Sequence, residues 1–249
     1  MSNRILASDI GQGVVFITSG GTSIPIDPVR SLENFSTGVR GARLAEYFLK
    51  ANWNVIFLHR SSSARPFRHR LDIEMSPEKF VIVQEDYIKS KDRLLEIQFD
   101  TLEDYFGELE KYSKVLENSI ASRKMILLAA AVSDFTTASK SSKIDSSEGF
   151  SVIELDKVAK ALPSVTFSWA PSVPVFSFKL ETEEEKIEPK AIKYFDQGVK
   201  GVIGNVLSSR RWKVSLIMKD KPTVNMEIDA VNSVIEIEDL LVSRLISVL

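Results

Sequence analysis

The chain has 249 residues, 44% of them hydrophobic, enough for a sizeable core in one α/β domain. Its 32 basic and 34 acidic residues leave a formal charge of −2, which gives no electrostatic reason to expect nucleic acid or an anionic membrane as main partner. With no cysteine and two histidines, disulfides, thiolate zinc sites and a cysteine nucleophile are excluded.

The N-terminal MSNRILASDIGQG lacks the apolar segment of a secretory signal, so a cytoplasmic address is expected. The longest apolar run, Met125 to Val132, is far short of the ~18 residues of a membrane span.

Val14 to Thr18 reads as a first strand, Gly38 to Lys50 as a helix with Leu44, Ala45, Phe48 and Leu49 inward, and Asn54 to Leu58 as a second strand. Between the first strand and the helix lies a polar, glycine-punctuated loop. Gly20, Gly21, Gly38 and Gly41 let backbone approach a ligand, and free N–H groups near Ser36 to Val39 suit phosphate oxygens. The pattern G-x-G-x-x-G is absent from this turn, which argues against a nicotinamide dehydrogenase.

Residues 61–98 have no clean period and read as an exposed loop and a possible insertion. Thr101 to Arg123 carries Leu102, Phe106, Leu109, Tyr112, Leu116 and Ile120 at helical spacing, and predicts a long amphipathic helix. Met125–Ala131 reads as a strand buried on both faces, as a parallel sheet requires. The serine-rich, lysine-bearing stretch 132–149 reads as a mobile flap.

Val173 to Leu180 predicts a strand, Thr182 to Gln197 a helix despite Pro189, and Lys200 to Gly204 a further strand. Val214–Met218 and Thr223–Ile228 predict an antiparallel pair, and Ile237 to Val248 a closing helix. The fold expected is α/β: one domain over 1–249, Rossmann-like, with a mainly parallel sheet flanked by helices and a C-terminal antiparallel pair. His59 and His69 are expected to be solvated or hydrogen-bonding, without a catalytic role.

Alone, SGGT at Ser19 to Thr22 is a weak phosphate signal, because glycine pairs usually serve turns. The ordered set is specific: SGGT, DPVR, Asn34 with FSTGVRG, AAAVSDF at Ala129 to Phe135, FKLET at Phe178 to Thr182, and GNVLSSR at Gly204 to Arg210. In that set the chain resembles the phosphopantothenate–cysteine ligases, over about Val14 to Arg210. FKLET with Lys179 resembles the eukaryotic-type, ATP-using members more than the CTP-using bacterial ones.

The resemblance implies nucleotide-activated joining of 4′-phosphopantothenate to L-cysteine through an acyl-nucleotidylate, in coenzyme A biosynthesis. Orientation and charge stabilisation then do most of the catalysis, and no protein nucleophile is needed. By the same resemblance Asn34 contacts the substrate carboxyl and the intermediate. Its amide donates without adding charge, although an asparagine there also suits a helix cap.

Arg30 is implied to bind the substrate phosphate of the neighbouring subunit in a homodimer, and Ala130, Ala131 and Asp134 to hold the pantothenate moiety. Lys143 is implied as the flap lysine that turns intermediate into product, with Lys140 able to share the task. Gly20, Ser36, Gly38, Gly41, Phe178 and Asn205 are implied to build the nucleotide site, and Mg2+ to accompany the ATP; CTP stays open as an alternative. No all-protein metal site is recognisable in the sequence. A nucleotide-binding, non-catalytic or regulatory protein on the same scaffold is the alternative reading.

Overall fold

The computed structural model describes residues 12–139, 141–145 and 152–249. Strand β1, Val14–Ser19, is an unbroken β-branched and aromatic run with every residue buried. It feeds helix α1, Val39–Lys50, and strand β4, Asn54–Arg60, by way of a short hairpin, β2 (Ser23–Asp27) and β3 (Arg30–Glu33). β1 and β4 pair in parallel from Val14 against Asn54 to Ser19 against His59. The hairpin is a departure from the loop read in the sequence: Pro25 interrupts its first arm and every residue of its second arm is exposed, so neither arm shows an alternating pattern.

Residues 61–98 also differ from the expected loop and possible insertion. They hold helix α2, Pro77–Ser90, and strand β5, Leu94–Phe99, which pairs in parallel with β4 and belongs to the main sheet. Ser76 starts α2 with its Oγ accepting from Lys79 N, and Pro77 follows at the first helical position, where a missing N–H is harmless. The helix buries only Ser90 and leaves Phe80, Val81, Ile82 and Ile88 exposed, which is why its period was not legible. Upstream, Glu46 of α1 anchors the segment by accepting from Phe67 N at 2.7 Å and pairing with His69 and Arg70.

Helix α3, Leu102–Glu117, begins at a Thr101–Asp104 capping box and ends at Asn118, short of the expected Arg123, so Ile120 lies beyond it and is exposed. Strand β6, Lys124–Leu128, leaves Ala129 to Ala131 outside the regular ladder. A two-residue pair follows, β7 (Phe135–Thr136) with β8 (Asp156–Lys157). Strand β9, Val175–Glu181, precedes a 3₁₀ turn at Glu184–Lys186 and helix α4, Ile187–Phe195. Pro189 sits in the first turn of α4, where no intrahelical N–H is needed. Strands β10 (Gly201–Val206), β11 (Lys213–Met218) and β12 (Val224–Glu227) and helix α5 (Ile237–Ser247) complete the chain.

The eight-stranded sheet runs β12-β11-β10-β9-β6-β1-β4-β5, with every pairing parallel except β10 with β11 and β11 with β12, so that β11 alone runs against the rest. Alternation along the strands sorts the core into two layers. Val15, Ile17, Val55 and Phe57 pack under α1 and α5 through Leu44, Phe48 and Leu241. Val14, Phe16, Ile56 and Leu58 pack under α3 and α4 through Leu109, Leu116 and Ala191. Successive connections from β1 run outward through β4 to β5, and those from β6 run the other way through β9 to β10. The order therefore reverses between β1 and β6, and a crevice at their carboxyl ends is where open α/β sheets bind ligands.

Candidate active site

SGGT leaves β1 and AAAVSDF leaves β6, so the two motifs meet at this reversal. Ala131 N donates to Gly20 O at 2.7 Å, and Thr22 N donates to Ala131 O at 3.2 Å. Ala130 N donates to Thr18 Oγ1 at 3.2 Å, and Ser133 N to Thr22 Oγ1 at 2.9 Å. The ledge is thus main chain held to main chain and to two buried threonine hydroxyls. Gly20 has φ +87°, in the left-handed region, and Gly21 lies so close to the main chain of Asn34 that a side chain has no room there.

Asn34 is half-buried, its N–H donating to Thr22 O at 3.2 Å. It is not the cap of α1. Gly38 holds that position with φ +75° and no capping side chain, and no acidic residue occupies the first turn. The first N–H groups of α1 are thus left for an anion, with half-buried Ser36 just before them. Ser19 Oγ donates to Gly38 O at 3.0 Å, and a Cβ on Gly41 would stand 2.3 Å from Ser19 Oγ. Gly41 therefore lets α1 press directly on the end of β1.

Arg60, at the end of β4, braces this loop from the other side. Its guanidinium reaches Gly21 O at 3.5 Å and pairs with Glu33, the residue before Asn34. The hydrogen bond from Arg60 holds the Glu33 carboxyl below its ordinary range against the opposing effect of burial. At the hairpin turn, Arg30 Nη1 pairs with Asp27 Oδ2 at 2.8 Å and donates to Ile144 O at 3.1 Å, while the neighbouring Lys143 is exposed. Lys140 lies outside the described residues.

A cavity of about 510 Å³ opens beside the ledge, lined by Ala130, Ala131, Asp134 and Phe178 together with Lys160, Lys179, Lys190 and Lys193. Asp134 is exposed and paired with Lys160. Glu181 takes Lys190 at 2.7 Å and Lys179 at 3.3 Å. The hydrogen bond from Lys190, with a further one from Lys179, keeps the Glu181 carboxyl below its ordinary range despite burial. Asn205 on β10 is buried, with Nδ2 donating to Lys179 O at 2.9 Å, so it underpins this wall. The lysines make the cavity a place for anionic groups.

Four of the residues singled out in the sequence thus share one cavity wall. Gly20 adjoins it through Ala131, Asn34 is held against Gly21, and Arg30 and Lys143 meet on the hairpin side. Asp27, Arg60 and Lys160 were missed. The DPVR segment carried a local signal for Asp27, since aspartate before proline starts turns, whereas Arg60 and Lys160 act only through distant partners. His59, expected solvated or hydrogen-bonding, is fully buried, with Nδ1 against Arg60 O at 2.8 Å.

The family described as DNA/pantothenate metabolism flavoprotein C-terminal domain matches residues 11–93. The chain is 34% identical over 269 residues to the phosphopantothenate–cysteine ligase of Homo sapiens, covering 94% of this chain and 86% of the relative. The chain belongs to the phosphopantothenate–cysteine ligase family. The Saccharomyces cerevisiae ligase CAB2 is 32% identical, with 82% of this chain and 67% of the relative covered. A solved structure of a Cab2 mutant in complex with phosphopantothenate-cysteine superposes with a TM-score of 0.82 at 32% identity, over 95% of this chain and 86% of that one. The C-terminal domain of the coenzyme A biosynthesis bifunctional protein CoaBC shares the fold, with a TM-score of 0.65 at 17% identity, over 98% of this chain and 94% of that one.

For a ligase of this family, two further features bear on the site. Among the described residues no group of three or more histidine, aspartate or glutamate side chains converges to hold a metal ion. Among them, too, no helix is long and apolar enough to cross a membrane.

Proposed function

We propose that the chain joins 4′-phosphopantothenate to L-cysteine using ATP, with an acyl-adenylate as intermediate. A substrate carboxylate oxygen attacks the α-phosphorus and pyrophosphate leaves; the cysteine amine then attacks the carbonyl carbon, loses a proton, and AMP leaves with its electron pair. The observation that carries this reading is the main-chain ledge of SGGT and AAAVSDF at the sheet's reversal, next to the uncapped start of α1, in a member of this ligase family.

In this reading the α1 N–H groups, Gly20, Ser36, Gly38 and Gly41 receive the nucleotide phosphates, with Phe178 and Asn205 toward its base. Asn34 donates to the reacting carboxyl and its adenylate, a place where a charged side chain would repel both. Ala130, Ala131 and Asp134 hold the pantothenate amides and hydroxyl, and Lys143 neutralises charge on the intermediate. Arg30 suits a phosphate through its planar guanidinium and is assigned to the site of the partner in a homodimer. Mg2+ would accompany the nucleotide, where it would shield the phosphate charge and assist departure of pyrophosphate.

The reading is tested by mass-spectrometric product analysis with 4′-phosphopantothenate, cysteine, Mg2+ and either ATP or CTP at equal concentration. The amide product should form with faster turnover on ATP. A clear preference for CTP overturns the nucleotide assignment, and no product with either nucleotide overturns the ligase reading.

A further inference from the structure

Asp27 closes the hairpin turn between β2 and β3, and its side chain is fully buried although its neighbour Arg30 keeps 43% side-chain exposure. Oδ1 accepts from Val29 N and Arg30 N, both at 2.8 Å, which sets the turn. Oδ2 accepts from Arg30 Nη1 at 2.8 Å and from Ile144 N at 3.1 Å. Arg30 Nη1 in turn donates to Ile144 O at 3.1 Å. Asp27 and Arg30 thus grip both polar main-chain groups of one residue, 117 positions downstream and adjacent to Lys143.

Burial alone would push the Asp27 carboxyl up; the N–H groups of Val29, Ile144 and Arg30, with the Arg30 charge, outweigh it and hold the group below its ordinary range. A carboxylate kept ionised by donors from two distant segments ties them together. One guanidinium nitrogen, Nη1, makes both contacts.

We propose that Asp27 is a positioning residue that fastens the Lys143 segment to the Arg30 hairpin, so that both cations are set by one buried carboxylate. The assignment of those cations to substrate and intermediate rests on the ligase reading; the fastening does not.

The full chain carrying Asp27→Asn tests this. Asparagine keeps the size and one carbonyl oxygen for the turn amides, but it puts an NH₂ where Arg30 and Ile144 both donate. Hydrogen–deuterium exchange at the Ile144 amide should become about tenfold faster while β1 and β6 exchange as in the wild type. The KM for 4′-phosphopantothenate should rise about tenfold and conversion of intermediate to product should slow, with the KM for ATP within about twofold.

Unchanged exchange at Ile144 overturns the fastening, as does acceleration spread over β1 and β6, which marks a general loss of stability. Faster exchange at Ile144 with wild-type kinetics overturns the link to the two cations. Ile144→Pro, which deletes the donor on an exposed segment and leaves the hairpin intact, should reproduce the kinetic changes; wild-type kinetics in that variant, or an Asp27→Asn chain that folds only partly beside it, count against the proposal. If the wild-type chain makes no amide product, the ligase reading fails and the exchange measurement alone decides the fastening.

Discussion

The carbonyl oxygen of Asn34 stands 2.0 Å from where a Cβ on Gly21 would be placed, so these two residues cannot keep their positions if either gains bulk between them. Both are fixed from elsewhere: Gly21 bridges to Ala131, and Asn34 N donates to Thr22 O. The obstacle is main chain on both sides, and no rotamer change relieves it.

Gly21→Ala should therefore displace Asn34, lower ligation by about a hundredfold and cost about 1–3 kcal/mol of stability. Gly107→Ala is the control. Gly107 lies exposed in α3 with nothing within 4 Å of an added Cβ, so alanine there should stabilise by about 0.5–1 kcal/mol with activity unchanged. Urea unfolding and initial rates on the two variants check this, and equal effects from both substitutions would contradict it.

Buried His59 makes stability depend on pH. Its ring lies 5.4 Å from that of Phe57 in a stacked arrangement, and its Nε2 finds no partner among the described residues. Burial pushes the imidazole below its ordinary value, against the pull of the Arg60 carbonyl. As pH falls, the unfolded chain takes up this proton first. The contribution of neutral His59 is thus fully present above about pH 6.5 and drains below it. Glu238, raised by burial, slopes the other way, losing stability as pH rises from its ordinary range. Unfolding free energies of wild type and His59→Phe between about pH 5 and 7.5 should therefore differ by an amount that grows with pH in favour of wild type. A constant difference contradicts the assignment.

β1, α1 and β4 were legible because their inward residues recur at strand or helix period and are in fact buried. α2 was not, since only Val83 and Tyr87 of its apolar side chains turn to the core while Phe80, Val81, Ile82 and Ile88 stay exposed, which blurs the helical period. The catalytic candidates divide in the same physical way. SGGT and AAAVSDF meet through backbone and short side chains, so small residues in a fixed order carried the signal without any contact map. The local sequence marks Asp27 as a turn residue, but not its reach to Ile144, and nothing local marks the pairing of Arg60 with Glu33. The length of α3 was overstated because Ile120 keeps helical spacing after the helix has ended.

Lys143→Gln should separate the two half-reactions, because a cation near the adenylate matters most while that charge must be held for attack by the amine. In single turnover the variant should release pyrophosphate and accumulate intermediate, with amide formation about a hundredfold slower. Complete loss of pyrophosphate release, with Lys140→Gln unaffected, would make Lys143 an initial binding group instead.

A site shared between subunits predicts complementation. Arg30→Ala and Asn34→Asp chains should each be inactive with their fold intact, the first lacking the phosphate contact and the second adding charge at a half-exposed position. Random reassortment of equal chains makes about half the dimers mixed, each with one intact site, so activity should return to about a quarter of wild type. Confirmed subunit exchange with no recovery would place Arg30 in the site of its own chain.

The acyl-adenylate is tested most directly by following oxygen. With 4′-phosphopantothenate labelled with oxygen-18 in its carboxylate, one labelled oxygen should appear in AMP for each amide formed, and none in pyrophosphate or inorganic phosphate. Label in inorganic phosphate, with ADP as the nucleotide product, would show activation through an acyl phosphate and contradict the account.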